Sequence, residues 1–401
     1  MALSWVSVLD CTNSGPRSTL ANAVTVLQRD PAWGPCVFWY DEFLDRVLVK
    51  TDAGTREWRD DDDTRLTVYL QQSVPMATLS EAHSASAVRY VARQRTKHCV
   101  RDWLAGLTWD GTPRIAHALE DFWGAAITER QPADYLAAIS ANLFLGLIAR
   151  VIHPGCQLDT MVIFEGPQGI GKSRALRVLG DVWYMLASES VTHKDFFQSL
   201  PGKLIVEIGE MDAFSRAERE RVKLAISTPS DRYRSSYGRR AEDHPRQCVF
   251  VGTTNRDDYG NDDTGLRRFL PVLCGAIDVD GLAAARGQLF AEAYTRAMTG
   301  EAWWKTPDAP TLAVQRERQA EDAWTSAVLE WLIGQTEVTS AEALIGAIKL
   351  RLADITRAEQ VRVGSILRLA GWKRQSVRRN GRIVKAWCAP AINADGDAEF
   401  M

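Results

Sequence analysis

The chain is 401 residues long, 46% hydrophobic and 25% charged, with a formal net charge of −3. This composition excludes disorder over most of the length, and the length allows two or three domains with cores of their own. Charge excludes a polyanion-binding surface spread over the whole molecule, so any nucleic-acid surface has to arise from local clustering. The cysteines (Cys11, Cys36, Cys99, Cys156, Cys248, Cys274, Cys388) form no CxxC pair, and no histidine stands at metal-ligand spacing. That pattern argues against a zinc site and fits the reduced thiols of a cytosol. Residues 1–10 lack the basic start and long apolar core of a signal peptide, and no apolar run approaches bilayer length. A cytoplasmic protein without membrane association is the expectation.

Residues 1–150 read as a helical N-terminal domain. Ser18 to Pro31 carries a cap, helical apolar spacing and a proline stop, whereas Val37 to Val49 fits helix or strand equally. Asp60 to Asp63 form an acidic run, read as a solvated loop capping the helix that starts at Arg65 rather than as a metal site. Helical patterns follow at 81–94, 100–107 and 132–151, with a turn at Trp109 to Pro113. From about Asp159 short apolar runs alternate with helices. Met161–Phe164, Leu204–Val206 and Val249–Val251 are buried-strand candidates, and Phe269–Leu273 is a candidate edge strand. The fold class expected for 151–300 is therefore α/β, a parallel sheet covered on both faces. Leu282–Met298 and Thr311–Leu332 read as helices, with 301–335 a helical connector, 336–390 a last small domain and 391–401 a tail.

Residues 166–173, Gly166-Pro167-Gln168-Gly169-Ile170-Gly171-Lys172-Ser173, complete the pattern GxxxxGK[ST] between an apolar strand and a helix. The glycines let the loop turn its N–H groups inward to phosphates without Cβ atoms in the way. Lys172 would reach the β- and γ-phosphates, Ser173 would ligate Mg²⁺, and the helix would offer its positive N-terminus before ending at Gly180, read as a C′ glycine. ATP and Mg²⁺ are thus the expected cofactors.

Lys203 to Asp212 supplies the acids such a site needs. Glu210, at the expected C-terminal end of a strand, is read as the catalytic carboxylate. Glu207, inside the apolar run, is read as a metal-side partner or as half of a structural ion pair, since a lone carboxylate there is costly. Asp212 would help start the next helix, whose own capping box is Ser215 to Glu218. Asn255 closes the strand ending in Thr253-Thr254-Asn255, where an amide can orient an attacking water. Arg267 and Arg268 follow a glycine-bearing turn, and either could serve a neighbouring subunit as an arginine finger, the bland alternative being an Arg267–Asp263 surface pair.

These motifs, in this order, resemble the virulence-associated protein E family of phages and prophages, which lies near the superfamily 3 helicases and poxvirus-type primase-helicases within the AAA+ ATPases. The resemblance covers roughly residues 30–275. It rests on Trp109-Asp-Gly-Thr-Pro-Arg114, His153 to Asp159, Glu165 to Ser173, Ile205 to Asp212, Asp231 to Arg239, Gly252 to Asn255 and Thr264 to Phe269. It implies an AAA+-like P-loop ATPase core, an ATP-driven DNA helicase or translocase, a hexameric ring, and N-terminal helices acting as an assembly collar. It also implies a hairpin whose basic residues project into the ring channel, at Asp231 to Arg240. Arg234, Tyr237, Arg239 and Arg240 suit a single strand, because guanidinium groups meet phosphates and tyrosine rings stack on bases; a subunit interface is the alternative. No primase domain is legible upstream, so priming would come from a separate protein.

Residues 336–390 read helix, helix, hairpin, with Asn380-Gly381 as the turn, which is winged-helix order. The hairpin carries Lys373, Arg374, Arg378, Arg379, Arg382 and Lys385 with no acid among them. Arg378, Arg379 and Arg382 are the candidate contacts to duplex or forked DNA; a solvated hairpin closing the fold is equally consistent. Two further readings of the whole chain stay open: a nucleotide-switched DNA-binding initiator, loader or regulator, and a small-molecule kinase, which leaves Asn255 and the paired arginines without a role.

Overall fold

The computed structural model describes residues 6–34, 36–74, 76–187, 194–210, 216–234, 240–255, 268–304, 311, 324–379 and 381–389. Contacts divide the chain into two units, residues 1–257 with 267–315, and residues 258–266 with 316–401.

The first unit begins with a two-residue hairpin, β1 (Cys11–Thr12) and β2 (Gly15–Pro16), and helix α1 (Leu20–Arg29), capped by Thr19. The ambiguous stretch from Val37 then resolves as strand: β3 (Phe38–Asp41), β4 (Arg46–Thr51) and β5 (Gly54–Glu57) form an antiparallel meander. The N-terminal region is therefore mixed, not purely helical. Aromatic and β-branched residues at 38–40 and 47–49 suit a pleated surface, and the turn between them places Asp45 at φ 54°. Helices α2 (Asp60–Gln72) and α3 (Glu81–Arg93) complete a small core with Val26, Leu27, Phe38, Leu66, Leu70 and Val91. The acidic run is not a loop before α2 but its first turn. Asp62 takes both guanidinium nitrogens of Arg56 (2.6 and 2.8 Å) and the N–H of Arg59, where the helix dipole favours a carboxylate.

Helices α4 (Cys99–Ala105), α5 (Ala118–Trp123) and α6 (Ala133–Ile152) lead into the sheet. Contrary to the sequence expectation, α6 is long and apolar enough to cross a bilayer, but 78% of its most apolar window is buried inside this unit. Its Leu143, Phe144, Leu147 and Val151 form one core with Val162, Phe164, Val251 and Phe290, which runs across residue 150.

The chain continues through β6 (Met161–Glu165), α7 (Lys172–Gly180), β7 (Tyr184–Leu186), α8 (Lys194–Gln198), β8 (Ile205–Ile208) and α9 (Arg216–Ser227). An antiparallel pair, β9 (Ser230–Tyr233) and β10 (Glu242–Pro245), precedes β11 (Val249–Thr254), β12 (Phe269–Leu273) and α10 (Val279–Met298). Among the described residues the parallel sheet has five strands in the order β12-β6-β11-β8-β7. The buried apolar runs of β6, β8 and β11 follow from cover on two faces. Strand β12 is an edge, which tolerates Pro271, and its outer side is satisfied by Tyr135 Oη donating to the Pro271 carbonyl (2.7 Å) and by Gln131 bridging both backbone groups of Leu273. Gly180 is the last helical residue of α7 rather than a C′ glycine, and Asp181 takes the positive φ of 51°.

The second unit adds one short strand, Glu337–Val338, to the pattern read from sequence. Helix α11 (Thr325–Leu332) and β13 (Glu337–Val338) precede α12 (Ser340–Gly346), α13 (Arg357–Leu369), β14 (Lys373–Arg379) and β15 (Arg382–Cys388). The antiparallel sheet runs β13-β15-β14, and Arg379 faces Arg382 across the two-residue turn, with Gly381 at φ 77°. Val328, Leu344, Val363, Leu367, Trp372 and Trp387 form its own core. Of the helix read over 311–332, residues 312–323 lie outside the described residues.

Candidate functional site

The loop from β6 to α7 has the backbone that its glycines predict. Gly166, Gly169 and Gly171 all take positive φ (139°, 87° and 105°), and a Cβ on Gly166 would lie 2.9 Å from Ile170 Cδ1 and 3.1 Å from the Cys274 carbonyl oxygen. Helix α7 begins at Lys172, so its positive dipole end points into the loop, which suits phosphate. Pro167, Gln168 and Ile170 complete the loop. The Lys172 ammonium donates to the carbonyls of Gly166 (2.5 Å) and Pro167 (2.9 Å) and to Asn255 Oδ1 (3.3 Å).

Strand β11 lies between β6 and β8, pairing Thr254 with Glu165 and Gly252 with Ile208. The sheet order therefore brings the loop, Asn255 and the acid-bearing strand to one edge, at the carboxyl ends of the strands, where open α/β sheets bind ligands. Glu207 is 1% exposed. Its Oε1 accepts from Ser173 Oγ (2.6 Å) and Thr253 Oγ1 (2.7 Å), and its Oε2 accepts from Tyr184 Oη (2.6 Å). Hydroxyls, not the ion pair allowed for from sequence, thus answer the cost of burying this carboxylate. Burial, then the Glu207 carboxylate, pushes the Tyr184 hydroxyl above its ordinary pKa and keeps it a donor. Glu210, two residues beyond β8, is exposed and left-handed at φ 52°, an uncommon conformation for a glutamate. Asp212 and Ser215 lie outside the described residues.

Asp231 to Tyr233, the start of the Asp231–Arg240 motif, lie on β9, which pairs antiparallel with β10; residues 235–239 lie outside the described residues. Tyr233 faces Glu242, with Arg234 and Arg240 exposed just beyond the paired residues, while Tyr237 and Arg239 lie outside the described residues. The pair is held firmly. Buried Arg246 binds Asp231 through two nitrogens (2.6 and 2.7 Å) and also the Ala225 carbonyl, and Tyr233 stacks on His244 with centroids 3.9 Å apart. Arg268 Nε donates to Ser227 Oγ (2.9 Å), tying the start of β12 to the end of α9 in the same chain; Arg267 and Asp263 lie outside the described residues.

In the second unit Arg378 is exposed, but Arg379 is held by Glu337 (2.5 Å) and Glu342 (2.7 Å), acids contributed by β13 and α12. Its charge is neutralised locally. Arg382 lies in β15, with its side chain outside the described residues. The Trp109–Arg114 motif turns out to be a clamp. Asp110 takes Arg114 through two oxygens (2.8 and 2.7 Å), which holds its carboxyl well below the usual range, and Glu292 of α10 accepts the N–H groups of Arg114 and Ile115.

Tyr184 and Thr253 are the site residues that sequence reasoning did not single out as functional. Thr253 stood inside a quoted motif; nothing local marks Tyr184, whose partner is 23 residues away.

Residues 104–322 match the virulence-associated protein E-like domain. Among solved structures, the apo structure of the NrS-1 C-terminal region (305-718) aligns at 12% identity, covering 88% of this chain and 95% of that one, with a TM-score of 0.48. An A-form apo structure of the same region aligns at 13% identity, covering 88% and 96%, with a TM-score of 0.46. No curated protein matches the chain.

Proposed function

The chain belongs to the virulence-associated protein E-like family, and from that premise we propose that it is a P-loop ATPase of the AAA+ kind that moves along single-stranded or forked DNA during phage or prophage replication. The observation that carries this reading is the contact of Ser173 with the buried Glu207, beside a lysine that also reaches Asn255. The residues fit Mg²⁺-ATP. The Gly166–Gly171 amides and Lys172 would hold the phosphates, and Ser173 and Glu207 would face the cation. When bound, Mg²⁺-ATP supplies the phosphoanhydride whose cleavage drives the cycle. Glu210 takes a proton from the attacking water, Asn255 orients that water, and one of Arg267 and Arg268 reaches the site of the next subunit in a hexameric ring. Arg234, Tyr237, Arg239 and Arg240 contact the strand, and the β9–β10 pair, held by Arg246 and Asp231, transmits movement to them. The test is ATPase activity with and without single-stranded DNA; no stimulation at any protein concentration would sink the motor reading.

A second reading, a nucleotide-switched DNA-binding initiator, loader or regulator, is favoured by one observation. The second unit runs helix, strand, two helices and hairpin, an order that supports a winged-helix reading, with exposed Lys373, Arg374, Arg378 and Lys385. Charge reversal at Arg234 and Arg240 against reversal at Arg374 and Arg378 separates the two. A motor loses single-strand binding from the first pair, a switch loses duplex binding from the second.

A further inference from the structure

Three neutral hydroxyls converge on the carboxylate of Glu207, and one of them comes from outside the nucleotide-site motifs. Tyr184 opens β7, the far edge strand of the sheet, yet its hydroxyl lies 2.6 Å from Glu207 Oε2. Several features hold it there. A Cβ on Gly180, the last residue of α7, would lie 2.8 Å from Tyr184 Cβ and 3.4 Å from Ile205 Cβ, so only glycine lets β7 start this close under the helix. The parallel register sets Tyr184 against Ile205, two residues before Glu207 on the neighbouring strand. From α7, the Arg177 guanidinium lies over the Tyr184 ring at 5.6 Å.

The geometry divides the carboxylate's two oxygens. Oε1 receives Ser173 and Thr253, while Oε2 receives Tyr184. The terminal torsion of a glutamate is broad and nearly two-fold, so donors on one oxygen alone leave the carboxylate plane loosely set. A donor on each oxygen fixes it. A serine hydroxyl has one proton and two lone pairs; with its proton directed at Oε1, its lone pairs take a defined direction. Because all three donors are neutral, they leave the negative charge of Glu207 in place.

We infer that Tyr184 is a positioning residue for the divalent cation that accompanies the nucleotide: by holding Oε2 it sets the plane of Glu207, and so aims the Ser173 hydroxyl at the cation. This rests on the nucleotide-site reading above. A merely structural role, satisfying a buried carboxylate, would lower stability without distinguishing metal-bound from metal-free nucleotide.

Binding of a fluorescent N-methylanthraniloyl ATP to the full chain, in EDTA and across a Mg²⁺ titration, separates these cases. Tyr184→Phe keeps the ring and removes the donor. It should bind the nucleotide in EDTA as wild type does, while its Mg²⁺ midpoint rises about five- to tenfold, the loss expected for one hydrogen bond. Gly180→Ala, which displaces Tyr184 without altering its chemistry, should give the same selective rise and serves if Tyr184→Phe melts early. An unchanged Mg²⁺ midpoint in both variants, with Ser173→Ala shifting it, overturns the role of Tyr184 and leaves the nucleotide site standing. Equal weakening in EDTA and in Mg²⁺ also overturns it. Wild type that binds no nucleotide under either condition overturns both readings.

Discussion

The Lys172 ammonium stands 3.3 Å from Asn255 Oδ1, although 83 residues separate them along the chain. Strand order makes the contact: β11 is inserted between the loop-bearing β6 and the acid-bearing β8, so the residue that follows β11 meets the loop. An ammonium has three donors, and here two go to loop carbonyls and one to the amide. The Asn255 side chain is thus placed next to the group that would hold the γ-phosphate.

Asn255→Ala should therefore lower turnover by about 10²–10³, the range for removing one preorganised polar group, while leaving nucleotide affinity nearly unchanged. Lys172→Ala should remove both. Glu210→Gln should resemble Asn255→Ala, since it touches chemistry and not binding. Steady-state ATPase and equilibrium binding on the same preparations check the three. Full turnover in Asn255→Ala would remove that residue from the mechanism.

His98 makes a pH prediction with a definite sign. Buried at the start of α4, it accepts the Arg101 N–H on Nδ1 (3.2 Å), so Nε2 carries the proton that faces Gln247 Oε1 (2.7 Å). Burial, with Arg101 adding to it, lowers its pKa from the ordinary 6.5 despite the opposing pull of Gln247 and Asp41. The unfolded chain therefore binds a proton more readily, and stability present above about pH 6.5 is lost as pH falls below it. Protonation of Nδ1 would also destroy the cap on α4. His98→Asn keeps a capping oxygen and cannot titrate, so its melting temperature should fall less than that of wild type between about pH 7.5 and about pH 5.5. Parallel curves would show that acid sensitivity lies elsewhere.

What could be read from the sequence follows how local each device is. The turn at Gly166 to Ser173 was legible because it is built from consecutive residues of one loop, and three of its glycines do take positive φ. Four of the five described strands of the parallel sheet were legible as apolar runs, whereas the short edge strand β7 (Tyr184–Leu186), with no buried residue, was not. The meander at 38–57 was not, because residues 37–49 satisfy both periodicities and only pairing with a neighbour decides between them. Gly180 followed a helix and so read as a cap, whereas its actual constraint is Tyr184, brought close by the sheet. The hydroxyls around Glu207 and the acids around Arg379 come from other elements, and no window along the chain contains them.

The two adjacent arginines can be separated by subunit mixing. Arg268 is tied through Nε to Ser227 in its own chain, a contact that fixes β12 against α9. Arg267→Ala should abolish hydrolysis, and activity should return when it is mixed with Lys172→Ala subunits, which supply the finger and lack a working loop. Arg268→Ala should lower the melting temperature and show no such rescue. If Arg268→Ala is the variant rescued by mixing, the assignment is reversed; if neither change affects turnover, there is no arginine finger in this pair.

Arg378 and Arg379 are neighbours with opposite circumstances, and the difference is measurable. Arg379 bridges Glu337 and Glu342, tying the hairpin to β13 and α12. Arg379→Ala should destabilise the second unit by about 1 kcal/mol, the upper range for a partly exposed ion pair, with little effect on DNA. Arg378 is exposed and sits opposite Ile383, which is itself 77% exposed. Arg378→Ala should leave melting unchanged and weaken duplex binding. If it meets a phosphate, the slope of log affinity against log salt should fall by about 0.9. Melting and salt-dependent binding on both variants give four readings. Loss of binding in Arg379→Ala, with none in Arg378→Ala, would mean that the hairpin meets DNA through its other face.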